Sequence, residues 1–121
     1  NRTTGLRIPD ADPENYRVEN RFPGADVNPY LSIAATLACG FLGMKNKVKP
    51  TKAYEGNAYE QDFDVPRNLE EALRGLQENS EITQIFGDKF IQLYTSIKLV
   101  EFEQFNQVIS SWEREHLLLN V

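Results

Sequence analysis

Apolar and polar positions follow three rhythms along this chain. Around Leu6-Arg7-Ile8-Pro9, and again from Tyr16 to Phe22, they alternate with the two-residue period of a strand. In the first stretch Leu6 and Ile8 stand opposite Arg7. In the second, Arg17, Glu19 and Arg21 take one face, and Tyr16, Val18, Asn20 and Phe22 the other. The segment Asp10-Ala11-Asp12-Pro13-Glu14-Asn15 is dense in turn formers, so residues 6–22 are predicted to be an antiparallel pair joined by a polar loop. Arg7 then shares a face with Arg17, Glu19 and Arg21. Pro23-Gly24 ends the strand.

The second rhythm is nearly continuous. From Pro29 to Lys47 the chain is apolar or small almost all round, with Leu31, Ile33, Ala34, Ala35, Leu37, Ala38, Cys39, Phe41, Leu42 and Met44. Asn28 is a good cap and Pro29 suits the first helical position, where its missing N–H costs nothing. A helix apolar on every side is predicted to be buried, with Cys39 a small core residue. Gly40 and Gly43 suggest close packing against another backbone, and Lys45, Lys47 and Lys49 suit the negative helix end.

Pro50 to Arg67 is read as a long irregular loop carrying Tyr54, Tyr59 and Phe63. The third rhythm is helical. Asn68 opens a helix with Glu71 at the capping-box position, running to about Glu78. Ser80 is read as the cap of a single turn ending at Gly87, and Asp88 as the cap of a last long helix. That helix would carry Phe90, Tyr94, Ile97, Phe105, Val108 and Trp112 at three- and four-residue spacing, as a core or interface stripe. The apolar tail from His116 to Val121 is expected to dock. The fold class is α+β: an N-terminal antiparallel strand pair, a buried helix, a long loop and a C-terminal helical section, with residues 1–121 read as one segment of a larger domain.

Composition narrows the possibilities. With 121 residues, 40% of them hydrophobic, one domain with a core is affordable in size. A net charge of −5 argues against a general nucleic-acid surface. A lone cysteine rules out an internal disulfide and fits a reducing, cytoplasmic setting. No apolar run is long enough to span a bilayer, so no membrane partner is expected. Asn1-Arg2 runs almost directly into a strand-like segment, which suggests a piece of a longer chain. The first 21 positions hold Arg2, Arg7, Arg17 and Arg21 and no lysine, and arginine is the residue suited to fixed, bidentate anion binding.

An Arg/Glu/Arg alternation is, by itself, most often a solvated salt-bridged face. Its alternative is a wall for an anionic substrate bridged by metal, since carboxylates hold hard cations and guanidiniums hold phosphates or carboxylates. The neighbouring motifs decide between them. Asn1-Arg2, Leu6-Arg7-Ile8-Pro9, Arg17-Val18-Glu19-Asn20-Arg21-Phe22-Pro23 and Asn28-Pro29-Tyr30-Leu31 follow in order, with Gly43-Met44-Lys45-Asn46-Lys47, Asn57-Ala58-Tyr59 and Asn68-Leu69-Glu70-Glu71-Ala72-Leu73 after them. This series resembles the C-terminal part of the glutamine synthetase family. Gly24-Ala25-Asp26, Glu55-Gly56-Asn57 and the tail from Trp112 look most like the γ-glutamylpolyamine (putrescine-type) branch.

The resemblance implies ATP-dependent joining of an amine, ammonia or a polyamine, to the γ-carboxylate of glutamate through γ-glutamyl phosphate, with Mg²⁺ or Mn²⁺. By motif, it gives Glu19 to the metal, Arg21 and Arg2 to glutamate and the transferring phosphoryl group, and Arg7 and Arg17 to the nucleotide phosphates. It also implies a homo-oligomer of stacked rings, and places further carboxylate ligands and a histidine ligand upstream of residue 1. This chain by itself is therefore expected to be inactive. The other expectation is a non-catalytic packing or oligomerisation module that keeps the motif by descent. Tyr59 stands where the regulated bacterial branch is modified, but the short run after it makes an ordinary exposed loop aromatic the expectation. His116, the sole histidine, is expected to be a cationic or hydrogen-bonding residue near a helix end, not a metal ligand.

Overall fold

The computed structural model describes residues 2–62 and 65–119, so Asn1, Phe63 and the last two positions of the tail lie outside the described residues. The chain divides into two compact units, Asn1–Asp64 and Val65–Val121.

In the first unit, β1 (Leu6–Arg7) pairs antiparallel with β2 (Glu19–Asn20), in the register Leu6 to Asn20 and Arg7 to Glu19. The ladder is shorter than the alternation predicts. Arg21 N still donates to Gly5 O at 2.8 Å, but a 3-10 turn at Pro13–Asn15 occupies the connection and Val18 is exposed. Proline 9 offers no N–H, so pairing cannot run past β1 on that side.

Helix α1 (Pro29–Lys45) starts as its sequence requires: Asn28 Oδ1 accepts from Tyr30 N and Leu31 N, at 3.0 and 3.2 Å. It ends in a Schellman motif. Val48 N reaches Gly43 O at 2.9 Å and Lys47 N reaches Met44 O at 3.2 Å, with Lys47 at φ 52°. The expected burial is corrected. Ala38 is the buried apolar residue of this helix, whereas Tyr30 is 83%, Leu37 68% and Met44 75% exposed, and Cys39 is exposed too. An all-round apolar pattern states that a helix needs partners on several sides. The described part of this unit offers it only a two-residue ribbon and a loop. The space beside Gly40 and Gly43 is likewise open rather than filled by another backbone. The loop that follows contains a 3-10 turn at Ala58–Glu60, capped by Asn57.

The second unit is helical. Helix α2 (Leu69–Glu78) is capped by Asn68, whose Oδ1 accepts Glu71 N at 2.8 Å, while Glu71 in turn accepts Arg67 N at 3.0 Å. Helix α3 (Ser80–Phe86) is capped by Asn79, not Ser80, through Ile82 N at 3.0 Å. Gly87, at φ 85°, is the link to α4 (Asp88–Asn106), so Asp88 is the first helical residue instead of the cap. These three helices pack on one another around Leu73 and Ile91, with Phe86, Phe90 and Tyr94 in a continuous stack. The predicted long stripe is interrupted. Ser110 and Glu113 form a capping box that starts a separate short helix, α5 (Ser111–His116), leaving Phe105 and Trp112 exposed. Trp112 stacks on His116, whose Nδ1 lies 3.0 Å from Trp112 O. Among the described residues of the tail, Leu117, Leu118 and Leu119 are exposed and find no cover within the chain.

Candidate functional site

The β1–β2 register puts Arg7 directly across from Glu19. Directly opposed residues share a face, so the alternation on β2 and the single charge on β1 converge. Arg7 Nη1 donates to Glu19 Oε2 at 2.9 Å, and Arg17 Nη2 donates to Glu19 Oε1 at 3.3 Å. Arg17 also reaches back to Asn15 O at 3.5 Å, a long contact at the end of the 3-10 turn. The hydrogen bond from Arg7 holds the Glu19 carboxyl below its ordinary range against the opposing effect of partial burial, with the charges of Arg7, Arg17 and Arg21 acting in the same direction. Arg21 therefore stands in the same electrostatic neighbourhood. Four of the five residues singled out from sequence come together here.

Arg2 is the exception. It is exposed, precedes β1, and is not among the charges acting on Glu19. The residue after it is nevertheless fixed, because Thr3 Oγ1 accepts Ala58 N at 2.8 Å. That bond ties the N-terminal segment to the Asn57-Ala58-Tyr59 turn across most of the unit. Nothing local in the sequence marks Thr3 for this role, and it was not singled out there. Tyr59 itself is exposed, as expected of a loop aromatic.

The opposite face of β2 fixes the charged one. Asn20 Nδ2 donates to Thr36 Oγ1 at 3.0 Å, and Thr36 Oγ1 donates to Ser32 O at 2.8 Å, which fastens the strand to α1. Phe22 lays its ring over Gly5, where an added Cβ would come within 2.2 Å of the ring. A one-residue slip of β2 would turn Glu19 toward α1, so these contacts set which way the charges point. An open depression of about 270 Å³, lined by Asn20, Pro23, Ser32, Ile33, Thr36 and Leu37, lies on this α1 side and not at the arginines.

The arginine face is an exposed surface of guanidinium donors whose planar forks match phosphate and carboxylate oxygens. Its fit to a divalent cation is poorer. Among the described residues no group of three or more His, Cys, Asp or Glu side chains stands together to hold one. Glu19 offers the right oxygen donors, but both are on guanidiniums. No helix among the described residues is long and apolar enough to cross a membrane.

Comparison with known proteins adds to the geometry. The profile of the glutamine synthetase catalytic domain matches residues 1–117. The chain is 40% identical over 117 residues to glutamate–isopropylamine ligase of Pseudomonas sp, covering 93% of this chain and 26% of that protein. It is 39% identical over 121 residues to gamma-glutamylputrescine synthetase of Escherichia coli K12, covering 99% and 26%. It is 41% identical over 117 residues to glutamine synthetase of Haemophilus influenzae, covering 88% and 25%. The chain thus spans about a quarter of the length of these relatives.

Proposed function

Because this chain belongs to the glutamine synthetase catalytic-domain family, we propose that it supplies one wall of the active site of an ATP-dependent glutamate–amine ligase. The observation that carries this reading is the pairing of Arg7 and Arg17 with the single carboxylate Glu19, within electrostatic reach of Arg21. In the proposed reaction a γ-carboxylate oxygen of glutamate attacks the γ-phosphorus of ATP, and ADP leaves. The amine nitrogen then attacks the γ-carbonyl carbon, the C–O bond to phosphate breaks, and the nitrogen gives up a proton. Both steps move negative charge among phosphate and carboxylate oxygens, so fixed guanidiniums lower the barrier by positioning and neutralising it. Arg7 and Arg17 are assigned to the nucleotide phosphates, and Arg21 and Arg2 to glutamate and the transferring phosphoryl group.

Mg²⁺ or Mn²⁺ would neutralise phosphate oxygens in such a site. The residues present do not by themselves fit such an ion, because Glu19 is one carboxylate and its oxygens are engaged. Glu19 is proposed as one of several ligands, the others lying in parts of the protein outside this chain. The 121-residue chain alone is accordingly proposed to be inactive, and turnover by it would refute that.

Relatives named for isopropylamine, putrescine and glutamine formation stand at 40%, 39% and 41% identity, so likeness alone does not select the acceptor. The test is phosphate release by the longer protein carrying this segment, given ATP, glutamate and a panel of ammonia, alkylamines and polyamines. Amine-dependent release is expected. Arg7→Ala and Arg21→Ala should each lower kcat/KM by about 10²-fold or more, the usual loss for a charge-stabilising donor. Absence of amine-dependent release from every acceptor would sink the ligase reading.

A second reading, a packing or oligomerisation module, is favoured by the exposed apolar positions Tyr30, Leu37 and Met44 of α1. An open reading frame that starts at this segment would support it.

A further inference from the structure

The strand pair does not itself hold Arg2. On that side it is fastened at Gly5, where Arg21 N donates to Gly5 O at 2.8 Å and the Phe22 ring lies over the glycine. Arg2 stands further out along the chain and is exposed. Between the two, Thr3 Oγ1 accepts Ala58 N at 2.8 Å in a half-buried contact. That N–H belongs to the first residue of the 3-10 turn Ala58–Glu60, a position whose donor has no acceptor inside its own turn. The turn is a firm anchor. Asn57 Oδ1 accepts Tyr59 N at 3.2 Å, Asn57 Nδ2 donates to Glu60 Oε1 at 3.2 Å, and the Tyr54 hydroxyl donates to Asn57 O at 3.4 Å. Thr3 therefore gives the backbone next to Arg2 a second support, separate from the ladder.

We infer that Thr3 is a positioning residue for the ligase reaction, and that its bond to the Ala58–Glu60 turn holds Arg2 in place against glutamate and the transferring phosphoryl group. This rests on the role proposed for Arg2 above. A guanidinium stabilises developing phosphate charge only from a fixed place, and a misplacement of about 1 Å can cost about 10²-fold in rate. Fastened at Gly5 alone, the arm bearing Arg2 would swing on every backbone torsion between them. With Thr3 bonded, the support is the adjacent residue.

The test uses the longer protein carrying this segment and reads phosphate release with ATP, glutamate and, in parallel, ammonia, putrescine and isopropylamine. The bond can be removed from either side. Thr3→Val keeps the branched shape and loses the acceptor. Ala58→Pro loses the donor, at a first-turn position that suits proline and after an Asn57 already extended at φ −91° and ψ 103°. Each should lower kcat by about tenfold and leave KM for ATP unchanged, because the nucleotide phosphates are assigned to Arg7 and Arg17. Thr3→Ser, which keeps the oxygen, should retain the rate. In an Arg2→Ala background Thr3→Val should cost nothing further, as expected when one residue acts through the other. If Thr3→Val does not fold, Ala58→Pro and Thr3→Ser decide the matter. An unchanged rate in Thr3→Val or Ala58→Pro, a Thr3→Ser loss equal to that of valine, or losses that multiply in the Arg2→Ala background would each overturn the positioning role and leave the role of Arg2 standing. Arg2→Ala at the full rate would overturn both. Absence of release from every acceptor would sink the ligase reading and this inference with it.

Discussion

Thr95 is 2% exposed on α4, and its hydroxyl has no hydrogen-bond partner among the described residues. A buried donor left unsatisfied costs more than the same volume filled by methyl groups. Thr95→Val keeps the branched shape and removes the hydroxyl, so it should raise stability by about 1 kcal/mol. Urea unfolding followed by circular dichroism would read this, and a lower midpoint would mean that the hydroxyl is engaged. Glu19 offers a prediction with a pH sign. Its folded pKa is held below the unfolded one by Arg7, so the ion pair contributes fully above the unfolded value. That contribution is lost as pH falls through the depressed folded value. A ¹³C titration of the Glu19 carboxyl should therefore show a midpoint below the ordinary glutamate range, and a midpoint within or above that range would refute the bridge. At this scale most of the site was legible, because strand alternation alone puts Arg17, Glu19 and Arg21 together. Thr3 was not, since its partner Ala58 is distant in sequence and a threonine near a chain start carries no local mark of it.

Helix ends were more legible than helix surroundings. Asn28 and Asn68 announce the starts of α1 and α2 because a cap bonds only two or three residues ahead. Ser110 announces α5 just as plainly, with Glu113 returning a bond to Ser110 N at 2.7 Å, but the aromatic spacing across it favours one long helix. The local cap prevails because Val108, Ile109 and Trp112 are exposed, so no burial rewards continuing. Burial of α1 was not legible for a different reason. Periodicity reports what a helix needs to cover and not what lies beside it. With its sides uncovered, α1 depends on its two ends. Asn28→Ala should cost about 1 kcal/mol, seen as faster amide exchange in the first turn. Lys47→Gly should gain about 1 kcal/mol, because glycine adopts the left-handed conformation at φ 52° without a Cβ penalty. Unchanged exchange in the first case, or a loss in the second, would mean that tertiary contacts and not the ends hold this helix.

Across the whole molecule, apolar surface is left uncovered in both units. In the first, Tyr30, Ile33, Leu37, Phe41 and Met44 are exposed along α1, and in the second Phe105, Trp112 and the leucines 117–119. Fully burying one large apolar side chain is worth about 1.5–3 kcal/mol, so covering even a few would outweigh the modest cost of ordering their side chains. Exposed contiguous apolar surface is uncommon on chains that remain single in water. Two outcomes satisfy this physics. Copies of the chain associate and cover α1, or the N-terminal segment loosens, because a two-residue ribbon with few buried neighbours has little to hold it. Sedimentation should therefore show a concentration-dependent mass. Failing that, hydrogen exchange should show weak protection across residues 6–22. The two measurements are needed together, because association would itself protect the ribbon and loosening would itself remove the surface that associates. A monodisperse monomer with strong protection across residues 6–22 would refute both, and would mean that the ribbon and α1 sustain one another without further cover.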